Sequence, residues 1–324
     1  MSILTHSSAI PLPYDGERAP DWFARKTRTA RRIILNLAPV RYAFIAESGG
    51  PIEKIEYGHD EYLGQTWHLS RATLREDYRH PLGSSFRVFH PADGSGVGST
   101  RLEARAKAIS EALERWAYHE TSAGSDHIMY GYQYAGGTKG MAAFPGVISR
   151  QARRLAMSEA FEYFTLDAWW NGALPHWAVE RDNGTTVFID QPHFKGFIAL
   201  VLRHLDLEDY GVAYGIGSGG TPAQAELKAH TEAARMQVVL EQRDASPNRK
   251  APVLEEEQLI LSRASREGLA IIHDRLQSRP WRSAPRPTVI YDGPVDGPWN
   301  RYAHVWRYAL EPLTLDNKLG RFAA

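Results

Sequence analysis

A nine-residue pattern, A-x-x-x-A-x-[ST]-E-A, occurs three times in this chain of 324 residues and constrains its fold more than any other feature. Residues 104–115 read ARAKAISEALER, residues 152–163 read ARRLAMSEAFEY and residues 225–236 read AELKAHTEAARM. The first two agree at seven of twelve positions. Their starts lie 48 and 73 residues apart, too uneven for a solenoid, so the pattern reads as one structural unit used three times in a single domain.

Each copy makes sense as a helix. Ala104, Ala108 and Ala112 recur at i, i+4 and i+8, as do Ala152, Ala156 and Ala160, and Ala225, Ala229 and Ala233. Such a stripe lets a helix approach a sheet or another helix closely, and alanine favours the helix itself. A polar stripe runs beside it: Glu103, Lys107, Glu111 and Glu114 in the first copy, Gln151, Leu155, Glu159 and Glu162 in the second, Gln224, Lys228, Glu232 and Arg235 in the third. Glutamates three apart on a helix have Cβ atoms about 5–6 Å apart and repel. Two copies carry that pairing, which suggests a positive group between them. Magnesium, bound through one or two carboxylates with waters and phosphates completing its shell, is the natural candidate. Before each copy stand glycines: Gly94, Gly96 and Gly98; Gly136, Gly137, Gly140 and Gly146; Gly215, Gly217, Gly219 and Gly220. As turns entering helices they would offer backbone N–H groups to phosphates. The competing reading is an old duplication whose glutamates are merely solvated.

Thirty-eight basic residues balance thirty-eight acidic ones, so bulk charge argues for neither nucleic acid nor membrane as partner. No run approaches the roughly 18 apolar residues of a membrane span, and the N-terminus lacks a secretory pattern, so a cytoplasmic protein is expected. With no cysteine, disulfides, thiolate nucleophiles and cysteine metal ligands are excluded. The thirteen histidines form neither HxH nor HxxxH, which disfavours zinc. Residues 1–20 read as a flexible arm and Asp21–Leu37 as a helix with a solvated basic face. Strands are expected over 41–47, 186–190, 198–202, 287–291 and 302–310, and a surface loop over 243–256. The irregular order predicts an α+β fold.

The three motifs, in this order, resemble the YcaO domain. GSGVGSTRLEARAKAISEALERWAYHE (94–120) is similar to its first signature, with Ser110, Glu111, Glu114 and Arg115 in place; TKGMAAFPGVISRQARRLAMSEAFEYFTLDAWW (138–170) and GIGSGGTPAQAELKAHTEAARMQ (215–237) are similar to its second and third. The resemblance covers about residues 84–240. It implies a YcaO-like α+β domain over residues 21–324, with mixed sheets and three related glutamate-bearing helices. It implies magnesium ligands at Glu111, Glu114, Glu159 and Glu162, and a nucleotide site at Ser110, Arg115, Gln151 and Glu232. The sequence departs from the family at Gln151, where a glutamate is usual, at Tyr163 and Lys139, and at Arg235, Met236 and Gln237.

What the resemblance implies chemically is ATP- and Mg²⁺-dependent activation of an amide in a precursor peptide. A nucleophile adds to the carbonyl, the oxyanion is phosphorylated, and elimination of phosphate leaves an azoline or a thioamide. No individual catalytic residue is assigned by the resemblance. A separate leader-binding (E1-like) or TfuA-like protein and a homo- or hetero-oligomer are implied as partners. The alternatives are a non-catalytic YcaO-like scaffold or regulatory subunit, and an unrelated metal-dependent hydrolase using the same glutamates.

Overall fold

Glycine and alanine, the residues with least side chain, set how closely the elements of this chain approach one another. The computed structural model describes residues 41–43, 45, 49–62, 65–79, 92–122, 128–132, 138–146, 148–246, 255–313 and 320–322. The expected arm, the helix over Asp21–Leu37, and residues 247–254 of the expected loop lie outside them.

Three antiparallel sheets are present among the described residues. The first joins β1 (Ile52–Tyr62), β2 (Gln65–Leu74) and β3 (Gly94–Gly98) in that order. The second has β4 (Thr138–Phe144) at one edge, β10 (His304–Leu310) in the middle and β9 (Val289–Pro294) beyond it. The third is a meander of β5 (His176–Arg181), β6 (Gly184–Ile189), β7 (Phe197–His204) and β8 (Val212–Gly219). Helix α1 (Arg101–Ser122) follows β3, α2 (Arg150–Trp170) follows β4, and α3 (Pro222–Asp244) follows β8. Two shorter α-helices, α4 (Glu255–Ala264) and α5 (Arg266–Gln277), follow, and single 3-10 turns lie at Glu76–Tyr78 and Pro298–Arg301. Thr221 caps α3 by accepting from the Gln224 N–H, with Pro222 supplying the favoured first-turn residue.

The α+β class is as the pattern predicts, but every described strand pair is antiparallel rather than mixed. Short connections join β1 to β2 and the successive strands of the third sheet, which favours antiparallel neighbours. Strands coincide with the expectations over 186–190, 198–202, 287–291 and 302–310. Residues 41–43 are instead helical, with Tyr42 and Ile45 buried in the core.

The glycine segments are the main correction. They are strands, not turns: Gly94, Gly96 and Gly98 lie in β3, Gly140 in β4, and Gly215, Gly217 and Gly219 in β8. Each strand lies against the alanine stripe of the helix that follows it, and all nine stripe alanines are fully buried. A methyl group at Gly96 would overlap the Ala104 carbonyl and the Ala108 nitrogen. One at Gly140 would overlap the Ala156 carbonyl, and one at Gly217 the Ala229 nitrogen. Helix backbone therefore rests almost directly on strand backbone. In all three cases the strand is the terminal one of its sheet, so its free edge lies beside the helix's polar stripe.

Aromatic clusters fill the remaining space. Trp116 packs edge-on against Trp299 beneath the first two sheets. At the far end of α2, Phe322 is buried among Trp169, Trp170 and Tyr214.

Replacing Gly96 with alanine should cost about 3 kcal/mol or more of stability, since neither backbone can yield without separating β3 from α1. Gly58→Ala, where the nearest side-chain atom lies 3.7 Å from the new methyl, should be near neutral. Urea denaturation of both variants checks this; equal midpoints would contradict the close-packed interlock.

Candidate functional site

A terminal strand presents unpaired N–H and C=O groups, and burying them without partners is costly. The polar stripes supply the partners. Along β3, the Ser95 N–H donates to Glu111 (2.9 Å), Val97 accepts from Lys107 Nζ (2.7 Å), and just past the strand Ser99 donates to Glu103 (3.1 Å). Along β4, Met141 N–H donates to Glu159 Oε2 (2.9 Å) and Ala143 N–H to Glu114 Oε1 (2.7 Å). Beyond β8, Gly220 N–H donates to Gln224 (3.2 Å). Beside β3 and β4, side chains of the helices thus take the place of a further strand.

Some of these contacts cross between repeats and close a ring. Glu114 of the first helix reaches β4 of the second unit. Glu162 of α2 accepts from Ser218 Oγ of β8 and from Lys228 Nζ of α3 at 2.6 and 2.9 Å. Arg235 of α3 returns to Glu111 of α1 at 3.4 Å while bonding Glu232 at 2.9 and 3.1 Å. The three units therefore meet where their glutamates do.

The structure brings Glu111, Glu114, Glu159, Glu162 and Glu232 into one electrostatic neighbourhood. Burial opposes the charge on Glu111, but Arg235, Arg115 and the Ser95 hydrogen bonds outweigh it and hold the carboxyl below its usual range. Glu114 goes the other way: burial, then the adjacent Glu159, push it well above that range. Glu159 is pushed up to about 7, by burial first, with Glu162 and Glu111 adding to it against Lys228 and the Met141 N–H. Tyr163 faces Glu159, Glu162, Glu232 and Glu111, and burial together with that negative field keeps its phenol protonated. Lys228 is held charged by Glu162, with Glu159 and Glu232 contributing against the partial loss of water around its ammonium.

The other residues expected at a nucleotide site are placed differently. Ser110 hydrogen-bonds Tyr42 Oη at 2.8 Å. Arg115 donates to Glu111 at 3.1 Å and to the Ala92 carbonyl at 3.3 Å. Gln151 sits at the start of α2, about 12 Å along the axis from Glu159, and makes no hydrogen bond to these carboxylates among the described residues. Lys228, Ser95 and Ser218 join the site without being marked by the motif; the one signal in the sequence is that Lys228 falls between Gln224 and Glu232 at helical spacing. A cavity of about 410 Å³ lined by Phe164, Asn171, Arg282 and Arg286 lies elsewhere and includes none of these glutamates.

No group of three or more acidic or imidazole side chains is placed to hold a metal ion among the described residues. The donor set still suits a hard cation held in the open manner of magnesium, through one or two carboxylates. Glu114 Oε2 and Glu159 Oε1 take no hydrogen bond among the described residues, and the two groups repel.

The fold has solved counterparts. The chain is similar to a chain of the E. coli microcin synthetase McbBCD complex with pro-MccB17 bound, with a TM-score of 0.52 and 10% identity over 82% of this chain and 88% of that one. A second structure of the E. coli McbBCD complex matches with a TM-score of 0.48, the same identity and the same coverage. The likeness to the first is one of fold. No protein-family description and no curated protein matches the sequence. No described helix is long and apolar enough to cross a membrane.

The raised carboxyls give a pH signature. The folded state holds a proton on Glu159 up to about pH 7 that the unfolded chain releases near 4.5. The ligand-free protein should therefore lose stability as pH rises through that window. Glu159→Gln, which keeps an acceptor for the Met141 N–H, should flatten the loss and melt above the wild type at pH 8. Thermal melts at pH 5, 6, 7 and 8 check it; a variant melting below the wild type at pH 8 would contradict the reading.

Proposed function

We propose that this chain binds Mg²⁺-ATP at the free edge of β4 and activates an amide carbonyl of a peptide, giving an azoline or a thioamide. The observation that carries the reading is the meeting of carboxylates from three repeated helices at one edge, two of them mutually repelling and each with an uncommitted oxygen. Such an arrangement is stable as a charged pair only with a cation between its members. Similarity of fold to a chain of a peptide-bound microcin synthetase supports the peptide as substrate class. A precursor peptide, and a separate protein that presents it, would then be partners.

In this reading Glu114 and Glu159 hold the ion, with Glu111 beside them kept ionised by Arg235 and Arg115. Bound magnesium would neutralise phosphate charge during transfer. The chain's own contribution would be placement: β4 fixes one oxygen of each carboxylate and leaves the other available to a ligand. Loading would displace the protons that Glu114 and Glu159 otherwise retain. ATP is the consumed phosphoryl donor, its γ-phosphoryl passing to the oxyanion formed when a Cys, Ser or Thr side chain of the peptide, or sulfide, adds to the amide; loss of phosphate with the N–H proton leaves an azoline, or with the S–H proton a thioamide, and ADP is released.

A second reading, a non-catalytic subunit of a peptide-modifying assembly, draws on the resident Lys228 and Arg235, which already neutralise part of the cluster. Mg²⁺-dependent ATP binding with no ADP release from any peptide would favour it.

Glu114→Gln should abolish ADP release while leaving the circular dichroism spectrum and melting transition intact. An unchanged rate removes Glu114 from the site. Glu232→Ala should weaken nucleotide binding less than Glu159→Ala, because Glu232 is already committed to Arg235; isothermal titration with Mg²⁺-ATP gives the order, and its reversal would mean the nucleotide sits nearer α3.

A further inference from the structure

Glu111, Glu114, Glu159 and Glu162 look equivalent in the sequence, as two ExxE pairs, but the structure does not treat them alike. Glu162 is 3% exposed, and its carboxylate is fully engaged: Lys228 Nζ touches both oxygens, and Ser218 Oγ donates to Oε1. Glu114 and Glu159 each spend one oxygen on a β4 N–H and keep the other. The pairing that matters therefore runs across helices, Glu114 with Glu159, rather than along one helix.

We propose that Lys228 is a built-in counter-cation that occupies Glu162 in place of a metal ion, so that the site takes one divalent cation, between Glu114 and Glu159. Charge supports this stoichiometry. Five carboxylates face Arg115, Lys228 and Arg235, which leaves two formal negative charges, the charge of one divalent ion. Geometry supports the assignment of Lys228 in particular. Its ammonium, on a side chain that is otherwise exposed, bonds at 2.6 and 2.9 Å to both oxygens of a carboxylate from another helix, and Ser218 donates to that same carboxylate from β8. Arg235 does the same for Glu232 and leans on Glu111. Glu162 is thus a positioning residue that ties α2 to the third repeat. The inference rests on the Mg²⁺-ATP reading above, but concerns which carboxylates remain available to metal.

Mn²⁺ titration of the full chain, followed by loss of the electron paramagnetic resonance signal of free Mn²⁺, counts bound ions directly, with and without ATP. The wild type should bind one ion per chain and Lys228→Met two. Lys228→Arg, which keeps a cation at Glu162, should return the count to one. A wild-type count of two, or a count of one in Lys228→Met, overturns the counter-cation role while leaving metal binding in place. Binding only in Lys228→Met upholds the competition but overturns metal use by the wild type. No binding by any variant overturns both. Circular dichroism melts of the three proteins establish that they are folded, and a misfolded Lys228→Met would be replaced by Lys228→Gln in the same comparison.

Discussion

The rest of the structure depends on how three sheets end. A terminal strand must cover its exposed backbone polar groups, and here side chains of the neighbouring helices accept from N–H groups of β3 and β4, while on β8 the Tyr214 N–H donates to Met236 of α3. Glycines on the strand and alanines on the helix bring the backbones close enough for short side-chain bridges to reach. The glutamates are part of that bridge. They are structural acceptors first, and Glu114 and Glu159 each keep a second oxygen without a hydrogen bond among the described residues.

That double role makes the site an electrostatic compromise. A carboxylate bonded to a backbone N–H gains a charge-assisted hydrogen bond, yet gathering five of them is unfavourable unless positive charge accompanies them. The chain supplies some of it internally, through Lys228, Arg235 and Arg115. The remainder appears as retained protons on Glu114 and Glu159. A ligand cation would replace those protons and relieve the repulsion, so affinity would come from strain already present in the free protein. The ring of contacts from α1 to β4, α2 to α3, and α3 back to α1 holds the arrangement together.

Much of this was legible in the repeat. Alanine spacing placed the three helices and their buried faces, because a period of 3.6 residues leaves only one face for such a stripe. The gathering of the glutamates followed from their shared place beside it. The strands before the helices were not legible: GSGVG and GIGSGG lack the β-branched residues that mark a strand, and glycine reads locally as a turn. Only the partner helix explains them, since a side chain there would strike its backbone. Residues 41–43 and 45 went the opposite way, with strand-like composition overridden by packing of Tyr42 and Ile45 in the core. The division of labour among the glutamates was likewise hidden, because Lys228 and Ser218 lie 66 and 56 residues from Glu162.

The account stands or falls on what occupies the β4 edge when the protein is loaded. A crystal structure with Mg²⁺ and a non-hydrolysable ATP analogue answers this most directly. The ion is predicted at about 2.1 Å from an oxygen of Glu114 and of Glu159, with the Met141 and Ala143 hydrogen bonds retained and the analogue's phosphates on its open side. A nucleotide bound at another place, with no ion between those two carboxylates, would contradict it.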